Sequence, residues 1–365
     1  MIRRLYLLNG LAILAVVCNH AAGWGFMGMF YWADRYRPVT VPNYDEIGTL
    51  SYYALLAIKC LTSASVPAFL FVSGFFVAYL ARGSQSALNW KTVRVRLKNI
   101  LVPYLIWSIV VLVIDALQGV TYTPAGYVVR LVLGGAHPAY FYIPLICQFY
   151  LLSPLVAPIA RTRAAMLLVA SALLQLGALS LGYLVLFGVK IPALQAAMEL
   201  LFPMYAVFFS LGIVAGFHLG QLKQWLVRAR WGLLAAVIVL GALAMIESEV
   251  VYHATGIRRG GGPGTFSTSL YSVAFILCFL AFYQVSIPFS KKIYGLGSAS
   301  FGIYLLHPKV LEFAARATKK FAPWILAYQI LFQPVLITLA VGAPLLFMTV
   351  VAKTPMRRFY RYLFG

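Results

Sequence analysis

Leu5-Tyr-Leu-Leu-Asn9-Gly-Leu-Ala-Ile-Leu-Ala-Val-Val-Cys-Asn-His20-Ala-Ala-Gly-Trp-Gly-Phe26 is the stretch that decides the fold. It is long enough and apolar enough to cross a bilayer as a helix, and it carries no acid and no lysine or arginine. An ionisable side chain within such a span is costly, so it tends to face the protein interior and to have a function. His20 is that side chain, and a neutral imidazole can take up a proton near neutral pH. Asn9 lies eleven residues earlier, close to three helical turns, so both groups share one stripe about 16 Å apart along the axis.

The rest of the chain repeats the pattern. Only 10% of the 365 residues are charged and 62% are hydrophobic, whereas a soluble globular chain carries roughly 25% charged residues. Ten apolar segments are expected to be helical spans: 5–26, 52–81, 100–117, 140–160, 164–187, 194–218, 231–250, 268–289, 300–315 and 325–352. The expected fold is therefore all-α, a polytopic helical membrane protein with about ten transmembrane helices in one domain covering 1–365. Prolines punctuate it: Pro103 opens the third span, Pro144 and Pro154 interrupt the fourth, Pro308 lies in the short ninth and Pro344 kinks the last. Arg3 and Arg4 before the first apolar run resemble the start of a signal peptide, but the run is long and another span follows, so an uncleaved first helix is expected.

A net charge of +21 in a soluble protein would suggest nucleic acid. Here the basic residues flank apolar spans, so the charge is read as membrane orientation with lipid contact, and no nucleic-acid partner is expected. With the N-terminus inside, inner segments hold 18 of the 29 lysines and arginines and outer segments 9. This places both termini in the cytoplasm, although Arg316, Lys319 and Lys320 fall outside. Cys18, Cys60, Cys147 and Cys278 all lie in apolar segments without metal or disulfide spacing and read as small buried hydrophobes.

Five segments carry polar chemistry within this apolar frame. His20 is either a general base for a hydroxyl nucleophile or a buried histidine bonded to a neighbouring helix, and Asn9 is either a ligand or helix-packing glue. Ser73-Gly74, in the second span, reads first as a small-residue step for close helix approach. Arg94 and Lys98 share a helix face beside Arg96 and Asn99, just before Pro103-Tyr104. They suit either the phosphates of an anionic substrate or orientation and anionic lipid. Tyr142 and Gln148 surround Pro144 and suit either site lining or an interfacial aromatic belt. Tyr304 and His307 are three residues apart, face one side, and precede Pro308. Asp115, Glu199 and Glu312 sit near span ends where they can snorkel or pair. Lys59 is expected to reach the interface. Arg258-Arg-Gly-Gly-Gly-Pro-Gly264 is read as a surface loop rather than an anion nest.

Taken in order, these segments resemble the membrane-bound acyltransferase 3 family of bacterial integral-membrane O-acyltransferases. The family's opening pattern ends in a histidine, matched by His20. Its second span carries Ser-Gly-Phe, matched by Ser73-Gly74-Phe75. A basic run then leads into Pro-Tyr, matched by Arg94 to Tyr104, and Ser300-Phe-Gly-Ile-Tyr-Leu-Leu-His-Pro308 matches the late motif. The resemblance implies transfer of an acyl group, most often acetyl, from cytoplasmic acyl-CoA as co-substrate to a glycan or related envelope hydroxyl. His20 would be the general base. The donor would meet Arg94, Arg96, Lys98, Asn9 and Asn99, and the acceptor or oxyanion would meet Tyr142, Gln148, Tyr304, His307 and Ser73. No metal or permanently bound cofactor is implied. The location is the inner membrane, multi-pass, with polysaccharide-assembly proteins as partners. Two positions depart from the pattern: Asn9 and Asn99 stand where the family usually has arginine, and asparagine supplies neither permanent charge nor a bidentate fork. Ten spans with proline breaks and a mid-membrane polar stripe also fit a transporter or flippase, against which stands the absence of an evident inverted repeat.

Overall fold

A computed structural model describes residues 2–81, 90–189, 202–256 and 264–365. Lys190 and Arg82 of the charge count, Glu199, and the Arg258 and Arg259 loop lie outside the described residues, as does the start of the sixth expected span. All regular structure among the described residues is helical. Nine of the expected segments and the described part of the sixth contain helix, although the eighth, expected over 268–289, stops being helical at Ala281. Among the described residues, seven helices are long and apolar enough to cross a membrane: Ile2–Tyr31, Leu50–Leu80, Trp90–Leu117, Pro138–Thr162, Ala164–Leu186, Leu219–Thr255 and Gln329–Lys353. Phe202–Phe217 and Phe266–Ala281 are shorter apolar helices. Ser300–Phe321 has the length, at 22 residues, but carries Lys309, Glu312, Arg316, Lys319 and Lys320. The chain is a multi-pass membrane protein.

It divides into two compact units, each gathered from separated segments: 1–12, 63–98 and 142–297 form one, and 13–62, 99–141 and 298–365 the other. In the first unit the Ser65–Leu80 helix packs against Ala206–Phe217 backbone to backbone. A Cβ on Gly74 would lie 2.3 Å from Phe209 O, and one on Gly212 would lie 2.1 Å from Phe71 O. Gly212 and Gly216 are four apart, the small-residue spacing that lets membrane helices touch, and Gly74 takes the packing role expected of the Ser73-Gly74 step.

Charged groups secure both ends of the Phe266–Ala281 helix in that unit. The Glu247 carboxylate accepts from the backbone N–H of Phe266 at 3.2 Å and Ser267 at 2.7 Å, and from the Tyr183 hydroxyl. At the far end the buried Arg4 guanidinium donates to the carbonyls of Phe279, Phe282 and Val285 at 3.0–3.3 Å. Negative charge at a helix N-terminus and positive charge at its C-terminus both complement the helix dipole. Arg4 is thus a structural cap as well as an orientation charge.

In the second unit a small core of Met348, Val351 and Phe364 gathers Trp107, Leu306, Tyr360 and Leu363 around it. Trp107 Nε1 donates to Leu363 O at 2.9 Å, tying the Trp90–Leu117 helix to the C-terminal turn. The second span is not one uniform helix: Leu50–Leu61 passes through a 3-10 turn, Thr62–Ala64, before Ser65–Leu80 begins.

Candidate active site

His20 lies on the Ile2–Phe26 helix, and its neighbour Asn19 anchors that helix. Asn19 Nδ2 donates to Lys59 O at 3.2 Å and to Thr62 Oγ1 at 2.9 Å, at the point where Leu50–Leu61 ends. The bond fixes the rotation of the first helix, which leaves the partly exposed His20 ring facing His307, with ring centroids 5.3 Å apart and a 45° tilt. No hydrogen bond to either His20 nitrogen is present among the described residues. The Lys59 ammonium lies 3.7 Å from the Cβ position of Gly23, beside the last turns of the first helix. The backbone carbonyl of Lys59 is itself held by Asn19.

His307 is fully buried on the Ser300–Phe321 helix. Its Nδ1 meets the carbonyls of Ile303 at 3.1 Å and Tyr304 at 2.8 Å, while its Nε2 has no partner among the described residues. The helix is braced by a reciprocal pair: the Tyr140 hydroxyl donates to Leu305 O at 2.5 Å, and the Tyr304 hydroxyl donates to Ala139 O. Tyr304 therefore commits its proton to the backbone rather than to a ligand. Tyr104 continues this aromatic wall, 6.0 Å from Tyr140, with its hydroxyl on Leu131 O at 2.7 Å.

His137 was not singled out in the sequence, where it appears as one histidine in a Gly-rich turn. It packs 6.0 Å from Tyr140, and its Nδ1 accepts from Ala139 N–H at 3.0 Å, so the neutral ring carries its proton on Nε2. Burial, reinforced by the positive Lys309, holds it down to about 4, with Glu312 and Asp115 pulling weakly the other way. Lys309 bonds Asp115 at 2.6 Å and Glu312 at 2.7 Å, and Arg316 bonds Glu312 at 2.9 Å. Asp115 and Glu312 are thus paired, one of the two outcomes expected for them. A local signal for His137 existed: His137-Pro138 repeats the His307-Pro308 dipeptide.

The other expected site residues fall in the first unit or near the C-terminal turn. Ser73 and Tyr142 share a side-chain hydrogen bond, and Phe69 packs 5.9 Å from Tyr142. Gln148 Oε1 accepts from Phe202 N–H at 3.0 Å and so supports the 3-10 turn Phe202–Tyr205. Arg94 and Lys98 are exposed, and Arg96 lies 5.2 Å over the Tyr150 ring. Asn9 Oδ1 is buried without a partner among the described residues. Asn99 Oδ1 accepts from Arg361 Nη2 at 3.0 Å, so a guanidinium stands beside this position although it comes from 262 residues away. Near the start of the first helix a cavity of about 390 Å³ is lined by Ile2, Arg3, Tyr6, Lys291 and Tyr294, a basic and aromatic surface that sequence alone did not group.

The sequence model of the acyltransferase 3 family, described as an acyltransferase domain, matches residues 3–353, and the chain belongs to that family. No curated protein and no solved structure matches the chain.

Proposed function

We propose that this membrane acyltransferase moves an acyl group, in the first instance acetyl, from cytoplasmic acyl-CoA to a hydroxyl of a glycan or related envelope acceptor, with His20 as general base. One observation carries the reading. A partly exposed imidazole sits within an apolar helix, without a hydrogen-bond partner among the described residues, and faces a second imidazole 5.3 Å away. A structural histidine would be bonded to a neighbouring helix; a base keeps its lone pair for substrate.

Arg94, Arg96 and Lys98 suit the donor's phosphates. Arg361 brings to Asn99 the charge that asparagine lacks. Asn9, with its unsatisfied carbonyl, is suited to accept from a donor N–H. Ser73, Tyr142 and Gln148 are assigned to the acceptor, and Tyr304 fixes the wall on which His307 stands. The hydroxyl proton passes to His20 as oxygen attacks the thioester carbonyl, and the departing thiolate takes it up. The enzyme acts in the inner membrane with both termini cytoplasmic, beside polysaccharide-assembly proteins, and needs no metal.

The test uses membranes containing wild type or His20→Ala, labelled acetyl-CoA and a cell-envelope glycan extract, with label followed into base-labile ester. Label should appear only with wild type. Full activity in the alanine variant would remove His20 from the mechanism.

A further inference from the structure

His307 presents a lone pair that nothing among the described residues uses. Its Nδ1 lies against two carbonyl oxygens, Ile303 and Tyr304, at 3.1 and 2.8 Å. Carbonyls only accept, so Nδ1 carries the proton and Nε2 the lone pair. The Tyr304 carbonyl is available because residue 308 is proline: the N–H that would bond it in an unbroken helix does not exist. The His307-Pro308 dipeptide thus fixes one tautomer through the backbone alone. Nε2 is buried and unpartnered, and the ring it belongs to lies 5.3 Å from that of His20.

Resting on the reading of His20 as base, we infer that His307 is its positioning residue: His307 Nε2 accepts the N–H of His20 and leaves the other His20 nitrogen for the acceptor hydroxyl. The rings do not yet bond, and catalytic hydrogen bonds are often long before substrate binds and tighten in the reacting complex. The balance is simple. The acceptor O–H bond breaks and its proton goes to His20; a C–O bond forms at the thioester carbon; the C–S bond breaks; His20 returns the proton to sulfur. His307 neither gains nor loses a proton but shares the positive charge that His20 carries at the midpoint. A carboxylate would do this by charge, as in serine hydrolases. A neutral imidazole does it without leaving an unpaired anion in the apolar interior while His20 is neutral.

Two measurements decide. Protein labelled with nitrogen-15 histidine is placed in phospholipid vesicles and read by solid-state NMR; the chain has 5 histidines, and His307→Gln identifies the His307 signal by its loss. The expected ring at 307 is neutral with Nδ1–H, and His307→Phe displaces the His20 resonance. A ring protonated on Nε2 instead, or a His20 resonance indifferent to His307→Phe, overturns the inference whether or not any acyl transfer has been detected. With labelled acetyl-CoA, His307→Phe should lower kcat by about 10- to 100-fold while KM for the donor stays within about twofold. His307→Gln, whose amide oxygen can stand near the lost Nε2, should recover part of the rate. Equal losses in the two variants, at equal protein in the membrane, mean a structural role only. An inactive His20→Ala beside a fully active His307→Phe removes this inference alone, whereas an active His20→Ala removes the reading on which it rests.

Discussion

His137 and His307 are each followed by proline, yet their backbones hold them in opposite tautomers. Nδ1 of His137 accepts from Ala139 N–H, and Nδ1 of His307 donates to carbonyls. One ring therefore offers an N–H from Nε2 and the other a lone pair from Nε2. His137 also gives the chain a pH dependence. Its folded value is about 4, below the ordinary histidine value of 6.5, so below 6.5 the unfolded chain binds the proton that the folded chain refuses. Its contribution to stability is complete above 6.5 and is lost progressively as pH falls toward 4. His137→Asn can keep the bond to Ala139 N–H without titrating. Thermal unfolding at pH 7 and pH 5 should show a smaller loss for the variant than for wild type; equal losses would mean that His137 does not titrate in this window.

The elements are governed by close packing and by what interrupts them. Gly74 and Gly212 place two backbones in contact, and a side chain at either must push helices apart. Gly212→Val should destabilise by about 1–3 kcal/mol or more, read as a lower thermal midpoint in detergent. Gly177→Ala, with nothing within 4 Å of its Cβ position, should leave the midpoint unchanged or raise it slightly. An unaffected Gly212→Val would show that this helix pair is not in contact. The positions of the spans were legible because hydropathy needs no partner to be seen. The Thr62–Ala64 turn was not read, although Pro67 stands in the first turn of the helix that follows it. His20, His307 and Tyr304 were legible as polar groups in apolar surroundings. Arg361 beside Asn99 was not, since no local pattern links residues so far apart in sequence, and His137 lay between expected spans, where only its His-Pro dipeptide, shared with His307, marked it.

At the scale of the whole molecule, neither compact unit is a stretch of sequence. Ile2–Phe26 and Trp90–Leu117 each contribute residues to both, so no single cut in the chain separates the two units. The excess of lysine and arginine in alternate loops predicts both termini inside. A fluorescent tag that matures only in the cytoplasm, fused after Gly365, should shine, and a protease added outside intact cells should leave it attached. A dark tag, or one cut from outside, would reverse the assignment and with it the side from which the donor enters.

The crossed bonds between Tyr140 and Leu305 and between Tyr304 and Ala139 have a mechanical sense. Two links running in opposite directions between the same pair of segments form a closed linkage: sliding one segment along the other stretches both at once. His137, two residues ahead of Ala139, and His307, two residues beyond Leu305, are therefore carried on a single lever. The spacing of those two rings is thereby held without any contribution from the first helix, which carries His20.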